Sequence, residues 1–416
     1  MALLTKTGSI VTPASNGDVV ITGVGFTPKL IMVMRGGTSS NVFFSVGAAT
    51  PTSQWSVVHS DIDNTTVQPT RYASLTSAFS IANGGTLGSE GNVSAFGSDG
   101  FTVTFTNTSA AFSYRWIAFG GADLDVAVGS VTVPSTNATD FSATGLSFQP
   151  KALQVASIWS GSTGTILSDY LTTLGFATGA GSAASIQAGS RTAATSDTFR
   201  YPSDTSILKR ALNEGAAPDV DISFKQFNSD GFTLTADDAP GGTSPLPYIA
   251  WGGNINVAKT LVTQPATNVT QNVTGLGFQP DFSLSYSSQL ASSSTDSATA
   301  TNRAAISIGF SDGTNSVATS KSSADNVSTT DSFSVEYDGI YTGDTSATLT
   351  TGQATYSNTA DGFDLGWTDN DGSQREVWVL SVGSAASITI IESIGTLNLS
   401  TQNPTIEFTG TITVEE

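Results

Sequence analysis

The sequence predicts an all-β protein of three tandem, homologous, antiparallel β-sandwich domains, followed by a short C-terminal β segment. Three observations support this prediction. Short sequence anchors recur three times in the same order, the segments beside them alternate between apolar and polar residues, and the periodicity of an amphipathic helix is almost absent. The anchors place the domains at residues 1–127, 128–257 and 258–385, and leave a tail at residues 386–416.

The first anchor is a phrase of glycine, phenylalanine and proline that opens a strand. It occupies residues 23–28, 145–150 and 275–280. Proline cannot donate a hydrogen bond to a sheet ladder, so it is common at the start of a strand. The residues that follow each proline are rich in β-forming side chains, which predicts that each copy leads into a strand.

The second anchor is an Asp-Gly pair, at residues 99–100, 230–231 and 361–362, followed each time by phenylalanine. Asp-Gly is a frequent turn dipeptide because glycine adopts positive φ without steric cost. Residues 101–106 then alternate strictly, which indicates a strand with one buried face and one solvated face.

The third anchor is the last strand-like run of each repeat, where Trp116, Trp251 and Trp378 occupy matching positions. Recurrence at one strand position is typical of a core side chain, so we expect all three rings to be buried. Many short strands joined by polar turns are typical of antiparallel sandwiches. A jelly roll and an immunoglobulin-like Greek key both fit this pattern.

Two kinds of segment depart from the strand pattern. Residues 206–213 have helical periodicity and predict a one- or two-turn loop helix in the second domain. Residues 291–302 and 315–330 consist largely of Ser, Thr, Ala, Asn and Asp, which is typical of disorder. Their fixed place inside a repeat favours long polar strands or loops on an exposed face.

The tail has three strand-like pieces, at residues 388–391, 395–400 and 405–414. Three short strands are too few for an independent core. We therefore expect the tail to be a docking or strand-exchange segment that packs on the third domain or on a neighbouring chain.

Composition excludes several classes of function. Lys and Arg number 15 and Asp and Glu number 34, for a formal net charge of −19, which argues against binding nucleic acid or an anionic membrane surface. The chain has no Cys and one His, which excludes disulfides, thiolate sites and a His-cluster metal site. We expect His59 to be a surface loop residue. No apolar run is long enough to span a bilayer, and the N-terminus lacks the apolar core of a secretory signal, so we expect a soluble protein.

Motifs that carry chemistry are weak. Residues 309–313 match the G-x-S-x-G nucleophile elbow, but no histidine follows them, so a turn explains the match. Asp369, Asp371 and Glu376 surround an Asp-Gly hairpin and are weak candidates for calcium ligands. We expect no catalytic residues and no cofactor, and therefore no enzyme. Trp55 and Trp159 fall outside the regular pattern and are candidates for exposed rings that stack on a sugar or a partner.

The phrases at residues 144–153 and 274–282 resemble the "GFxP(D/K)" strand openings of repeated β-domains in virion proteins of tailed bacteriophages. Residues 395–405 resemble a short β-motif of phage structural proteins. The resemblance implies a non-enzymatic virion component, assembled in the host cytoplasm, such as a tail or fibre-type appendage that contacts the host surface. A capsid decoration or head-appendage protein, a carbohydrate-binding module array and a bacterial adhesin are the alternatives. The implied partners are other virion proteins, copies of the same chain in a trimer, and a host-cell glycan, without nucleic acid or membrane insertion.

Overall fold

A computed structural model of the protein describes residues 3–36, 41–192, 195–212, 217–290, 303–346, 349–385, 389–391 and 413–415. These residues form strands and turns without a helix, which confirms the predicted all-β class. Accordingly, none of the described residues belongs to a helix able to cross a membrane. The loop helix predicted at residues 206–213 is wrong, because Leu208–Arg210 form a short strand whose apolar neighbours Ile207 and Ala211 are buried in a sandwich core.

Most of the strands fall into three groups, one for each repeat. The first repeat contains β1 (Leu4–Val11), β2 (Gly17–Thr22), β3 (Leu30–Gly36), β4 (Asn41–Ala49), β5 (Gln54–Ile62), β6 (Thr70–Ser74), β7 (Phe79–Asn83), β8 (Thr86–Gly97), β9 (Gly100–Thr108) and β10 (Ser113–Gly120). The second contains β11 (Leu124–Val133), β12 (Thr139–Ala143), β13 (Pro150–Ser157), β14 (Leu167–Ser168), β15 (Tyr170–Gly179), β16 (Ser182–Arg191), β17 (Asp197–Ser203), β18 (Leu208–Arg210), β19 (Val220–Asn228), β20 (Gly231–Asp238) and β21 (Ser244–Gly253). The third contains β22 (Ile255–Thr263), β23 (Thr270–Thr274), β24 (Phe282–Ser287), β25 (Arg303–Ser311), β26 (Ser316–Ala324), β27 (Ser332–Tyr337), β28 (Tyr341–Ser346), β29 (Leu349–Thr359), β30 (Gly362–Asn370) and β31 (Glu376–Ser384).

Each repeat builds one large and one small antiparallel sheet with the same strand order. The large sheets run β1-β10-β3-β4-β5-β6, β11-β21-β13-β15-β16-β17 and β22-β31-β24-β25-β26-β27, and β14 adds to the free edge of the first. The small sheets run β2-β9-β8-β7, β12-β20-β19-β18 and β23-β30-β29-β28. The sheet groups fit repeated domains and begin at Leu124 and Ile255, three or four residues before the predicted starts. In the first repeat, β3 to β6 form a meander in the large sheet, β7 to β9 form a meander in the small sheet, and the last strand, β10, lies between β1 and β3. The other two repeats have the equivalent order. This order confirms neither the jelly roll nor the immunoglobulin-like topology.

The three sequence anchors meet in space. In the first repeat, the backbone amides of Gly23 and Gly25 donate to the Asp99 carboxylate at 3.0 and 2.6 Å. A Cβ on Gly120 would lie 2.5 Å from the Phe26 ring, so the third anchor needs glycine where the first anchor packs on it. Equivalent contacts recur in the other repeats at Gly145–Asp230, Phe148–Gly252, Gly275–Asp361 and Phe278–Gly383.

The large sheets are buried on both faces. One face packs on the small sheet of the same repeat, around Phe101, Phe232 or Phe363. The other face enters a core that all three repeats share. Every residue of β3 and β24 is buried as a result, whereas β9 and β30 of the small sheets alternate as predicted. Trp116, Trp251 and Trp378 are buried as predicted, but they do not occupy matching positions. They lie four, one and five residues before the equivalent glycines 120, 252 and 383, so Trp116 enters the core of its own repeat and the other two enter the shared core.

The shared core is arranged cyclically. Through equivalent strands, β5 contacts β15, β16 contacts β25, and β26 contacts β4. In this core Phe119, Trp251 and Phe282 pack together, with ring centroids 4.7–5.7 Å apart. Each ring pairs with a smaller residue on the neighbouring strand: Phe119 with Leu30, Trp251 with Ala152, and Phe282 with Val382. The largest ring, Trp251, has the smallest partner, so the volumes within the pairs compensate.

The residue after each first-anchor proline ties neighbouring repeats together. Lys29 Nζ donates to the carbonyl of Leu124 at 2.6 Å, and Lys151 Nζ donates to that of Ile255 at 2.8 Å, so each lysine holds the start of the next repeat. In the third repeat this position is Asp281, which accepts from the backbone amide and hydroxyl of Ser384, both at 2.7 Å. Leu3 N donates to the same hydroxyl at 2.8 Å, so the start of the first repeat closes the cycle.

The predicted exposure of residues 315–330 is wrong for the strand β26. Residues 317–324 are buried, because the first repeat covers the face that a single sandwich would leave in water. Residues 291–302 lie outside the described part of the chain.

The tail is a separate unit, Ala385–Glu416. Within it, β32 (Thr389–Ile391) pairs with β33 (Thr413–Glu415) in antiparallel register. The strand-like piece predicted at residues 395–400, and most of the one at residues 405–414, lie outside the described residues.

Candidate functional site

Trp55, predicted as an exposed recognition ring, lies inside the protein. It is 5% exposed on β5, and its indole Nε1 donates to the Tyr248 carbonyl of the second repeat at 3.0 Å. The prediction failed because the ring faces the shared core, which a single repeat does not possess. Trp55 therefore joins two repeats and offers no surface for stacking.

Trp159 is also buried, at 6% exposure, two residues after the end of β13. Its Nε1 donates to Thr173 Oγ1 at 2.7 Å, and the guanidinium of Arg210 lies 5.1 Å from its ring. The backbone at Trp159 has a φ of +53°, which lies in the left-handed region. The second predicted recognition ring is thus a packing residue.

The three weak calcium candidates are not brought together as a site. Both oxygens of Asp371 accept from the Arg375 guanidinium, at 2.6 and 2.7 Å, while Asp369 is exposed on β30. Glu376 is enclosed at the start of β31, where burial and the nearby Asp204 raise its pKa to about 7. Among the described residues, no group of three His, Asp or Glu side chains is placed to hold a metal ion.

The G-x-S-x-G match forms the hairpin between β25 and β26, as the sequence predicts. Ser311 Oγ accepts from Gly313 N at 3.1 Å and from Ser316 Oγ at 2.9 Å. Asp312 accepts from the amides of Thr314 and Asn315 at 3.0 and 2.6 Å. Every one of these contacts stabilises a turn.

Among the described residues, several ionisable groups form a stacked column in the shared core, built from all three repeats. His59 packs between Phe44 and Tyr170, with ring centroids 4.8 and 4.5 Å away and nearly parallel planes. The Lys321 ammonium lies 4.0 Å from the centroid of Tyr170. His59 Nδ1 and Thr172 Oγ1 are 2.7 Å apart. The expected surface position of His59 is therefore wrong.

Burial controls the ionisation of this column. It holds the pKa of His59 well below 6.5, with a further contribution from Lys321. It also lowers the pKa of Lys321 to about 7, although the nearby Asp61 opposes the shift. For Asp61 the same burial raises the pKa, so burial shifts the equilibrium of each of these three groups toward its neutral form.

A buried lysine with a lowered pKa beside a histidine and a carboxylate could serve as a base or a nucleophile. Here His59, Tyr170, Lys321 and Asp61 are at most 3% exposed, so a substrate in solvent cannot contact them. The column therefore has a structural role. It packs His59, Tyr170 and Lys321, one from each repeat, against one another where the three repeats meet.

Sequence reasoning missed this column, although one signal was present. Val57 and Val58 directly precede His59, and such a run favours a buried strand over a loop. For Lys321, which lies within a run of serines, the sequence carried no comparable signal.

Comparisons with known proteins find no match that assigns the chain to a family. No family model matches the chain, and no curated protein matches it. Among solved structures, the one titled "Crystal Structure of the STIV MCP" aligns with a TM-score of 0.20 and 10% sequence identity, over 63% of this chain and 97% of that chain. A likeness of this size carries no argument about fold or function.

Proposed function

We propose that the protein is a non-enzymatic structural component of a tailed-phage virion, a tail or fibre-type appendage that acts in particle assembly and host contact. A capsid decoration or head appendage is the closest alternative. The virion assignment starts from the strand-opening phrases at residues 144–153 and 274–282, which resemble those of phage virion proteins.

One observation supports a structural role above others: three copies of one β unit share a single continuous core. The residues of the virion-like phrases take part in joining the repeats, since Lys151 binds the start of the third repeat and Asp281 binds its end. The stacked column of His59, Tyr170 and Lys321 is enclosed, and the Asp371 carboxylate is paired with Arg375. This construction favours a rigid body over a reaction centre.

Deleting the gene from the phage tests the virion assignment. Particles that lack the chain should lose a discrete density in electron micrographs, and mass spectrometry of purified wild-type particles should detect the chain in stoichiometric amounts. A missing density on the tail supports the appendage, and one on the head supports the decoration. Wild-type particles without the chain would contradict the proposal, and its recovery on bacterial cells instead would favour the adhesin.

Hydrolase assays test the non-enzymatic part. Purified chain incubated with host-surface polysaccharide and with ester substrates should release no product above a buffer blank. Turnover that a single carboxylate or serine substitution abolishes would contradict the proposal.

Truncation after Ser384 tests the tail as a docking segment, because the tail is a unit distinct from residues 1–384. The truncated chain should keep the unfolding temperature of the body and fail to join particles in a complementation assay. Normal incorporation of the truncated chain would contradict the docking role.

A further inference from the structure

A polar cleft of about 670 Å³ opens where the first and third repeats meet. Its walls include Lys6 and Thr7 of β1, Arg115 of β10, Asn315 of the β25–β26 hairpin, and Tyr356 of β29. The volume lies within the range of roughly 300–1,000 Å³ that is typical of small-ligand sites. The cleft lies at the seam where the chain closes its cycle by side-chain and backbone contacts.

The two equivalent seams serve as internal controls. Thr7 pairs with Ile117, and the matching residues Val128 and Lys259 pair with Ile249 and Leu380. At the first seam, the side chain of Val128 is buried in the shared core and fills the position that corresponds to Thr7. Lys259 reaches across the second seam, where its Nζ donates to the carbonyls of Ala183 and Asp204. A short threonine occupies the position only at the third seam, so the cleft departs from the symmetry of the repeats.

The walls of the cleft are held in place. The amide and hydroxyl of Thr7 donate to Asp312 at 3.0 and 2.9 Å, which fixes β1 against the hairpin. Arg115 Nε lies 3.3 Å from Glu336, and its NH2 nitrogen lies 3.7 Å from Asp338. A site organised before binding loses less conformational entropy when a ligand arrives.

The lining fits a neutral, hydroxyl-rich ligand. Lys6, Arg115 and Asp338 line the cleft, Glu336 pairs with Arg115, and Asp312 holds Thr7. These two cations and three carboxylates give a local formal charge of −1, so a strongly anionic ligand gains little. Hydroxyl and amide groups supply most of the remaining polar lining: Thr7, Ser9, Thr314, Asn315, Ser316 and Thr355. Tyr356 adds a half-buried ring, stacked on Phe363 with centroids 5.2 Å apart, and its hydroxyl lies 2.7 Å from Ser283 Oγ.

We propose that this cleft binds a neutral saccharide of one or a few rings. Fixed hydroxyl, amide and carboxylate groups can exchange hydrogen bonds with sugar hydroxyls, and the Tyr356 ring offers an apolar surface to a pyranose face. The proposal goes beyond the virion assignment and does not rest on it. Binding is measured on the purified chain and virion membership on particles, so either can fail alone.

The test is a glycan array probed with the full-length chain. It carries neutral oligosaccharides of glucose, galactose, mannose and N-acetylglucosamine beside sialylated and sulfated ones, with hits titrated calorimetrically. Thr7→Lys should fill the cleft as Lys259 fills its own seam, and should weaken binding by tenfold or more, equal to about 1.4 kcal/mol. Thr132→Lys adds the same charge at an exposed position of β11 and should leave binding unchanged.

Asn315→Ala gives a second measurement if Thr7→Lys fails to fold, because it removes a lining amide on the opposite wall. Binding of a neutral glycan that both cleft variants weaken, and that Thr132→Lys does not, supports the proposal. It is overturned if no neutral oligosaccharide binds at millimolar concentration, if only anionic glycans bind, or if neither cleft variant changes the affinity.

Discussion

At the scale of single residues, the second anchor acts as a cap for the first. The sequence predicts a turn at each Asp-Gly pair, and the structure adds that the aspartate holds a loop about 75–85 residues away in sequence. Gly25 and Gly277 donate to their caps at 2.6 Å with φ of +88° and +76°. The second repeat has Ser147 at this place, where φ is not positive.

Gly277→Ala should therefore lower the free energy of unfolding by about 1–2 kcal/mol, the cost of a left-handed conformation for a residue with Cβ. The substituted methyl meets no neighbour within 4 Å, so backbone strain is the main cause. Ser147→Ala is the matched control and should change stability by less than about 0.5 kcal/mol. Urea denaturation of both variants measures this, and equal effects would contradict the explanation.

The cap of the first repeat predicts a pH dependence. Hydrogen bonds from the amides of Gly25 and Gly23 hold the pKa of Asp99 below its usual value of 3.8. A carboxylate with a lowered folded pKa contributes stability above its unfolded pKa and loses it as the pH falls through the folded pKa. Wild type should therefore exceed Asp99→Asn in stability at pH 7, and the difference should shrink below about pH 4. A difference that stays constant from pH 7 to pH 3 would exclude this linkage.

At the scale of elements, the polar strand β26 shows why composition misled. Its serines and threonines suggest exposure, yet Thr319 and Ser320 are at most 1% exposed. Alternation along a strand reveals whether one face is buried. It does not reveal that a second face is covered by strands more than 200 residues away, as β3 and β4 cover β26. The same limit explains Trp55 and His59, which lie on the doubly covered strand β5.

Lys321→Met should stabilise the protein at neutral pH by roughly a few kcal/mol, because burial disfavours the charged ammonium and each pKa unit corresponds to about 1.4 kcal/mol. The folded pKa of Lys321 is about 7, below the ordinary 10.5. The wild-type penalty therefore grows as the pH falls from 10.5 to 7 and is complete below 7. The advantage of the variant should follow the same course.

Lys225→Met is the control for that substitution, because Lys225 forms an exposed pair with Asp140. Its stability change should stay within about 1 kcal/mol of zero. Thermal unfolding of both variants between pH 6 and pH 10 checks the prediction. A destabilised Lys321→Met protein at pH 7 would mean that the contacts with Tyr170 and Asp61 outweigh the cost of burial.

At the scale of the whole molecule, the repeats were predictable and their union was not. Recurring anchors indicate three copies of one unit. The three tryptophans are buried as predicted, although they do not lie at one equivalent position of the last strand. Anchor spacing carries no information about the outer faces of the sheets, so a shared core could not be inferred. The volume exchange among Phe119, Trp251 and Phe282 is invisible until the three strands are known to meet.

The shared core predicts a single unfolding transition for residues 3–384. Trp251→Ala removes a ring that contacts Phe119 and Phe282, and should cost about 3–5 kcal/mol. Because the lost contacts belong to all three repeats, scanning calorimetry should show one transition moved to lower temperature. Separate transitions, with only one of them moved, would contradict a common core.

The tie between Leu3 and Ser384 has a consequence for how the polypeptide could be rewired. The junctions at residues 121–123 and 253–254 link successive repeats covalently, whereas Leu3 and Ser384 are joined by a hydrogen bond and the tail continues beyond Ser384. A circular permutant of residues 3–384 that joins Ser384 to Leu3 through a short linker and is cut at either junction should keep the six sheets of the three repeats intact. Such a result would show that the body folds with any one of its three seams left without a covalent link. The order in which the three repeats are synthesised would then not determine the fold.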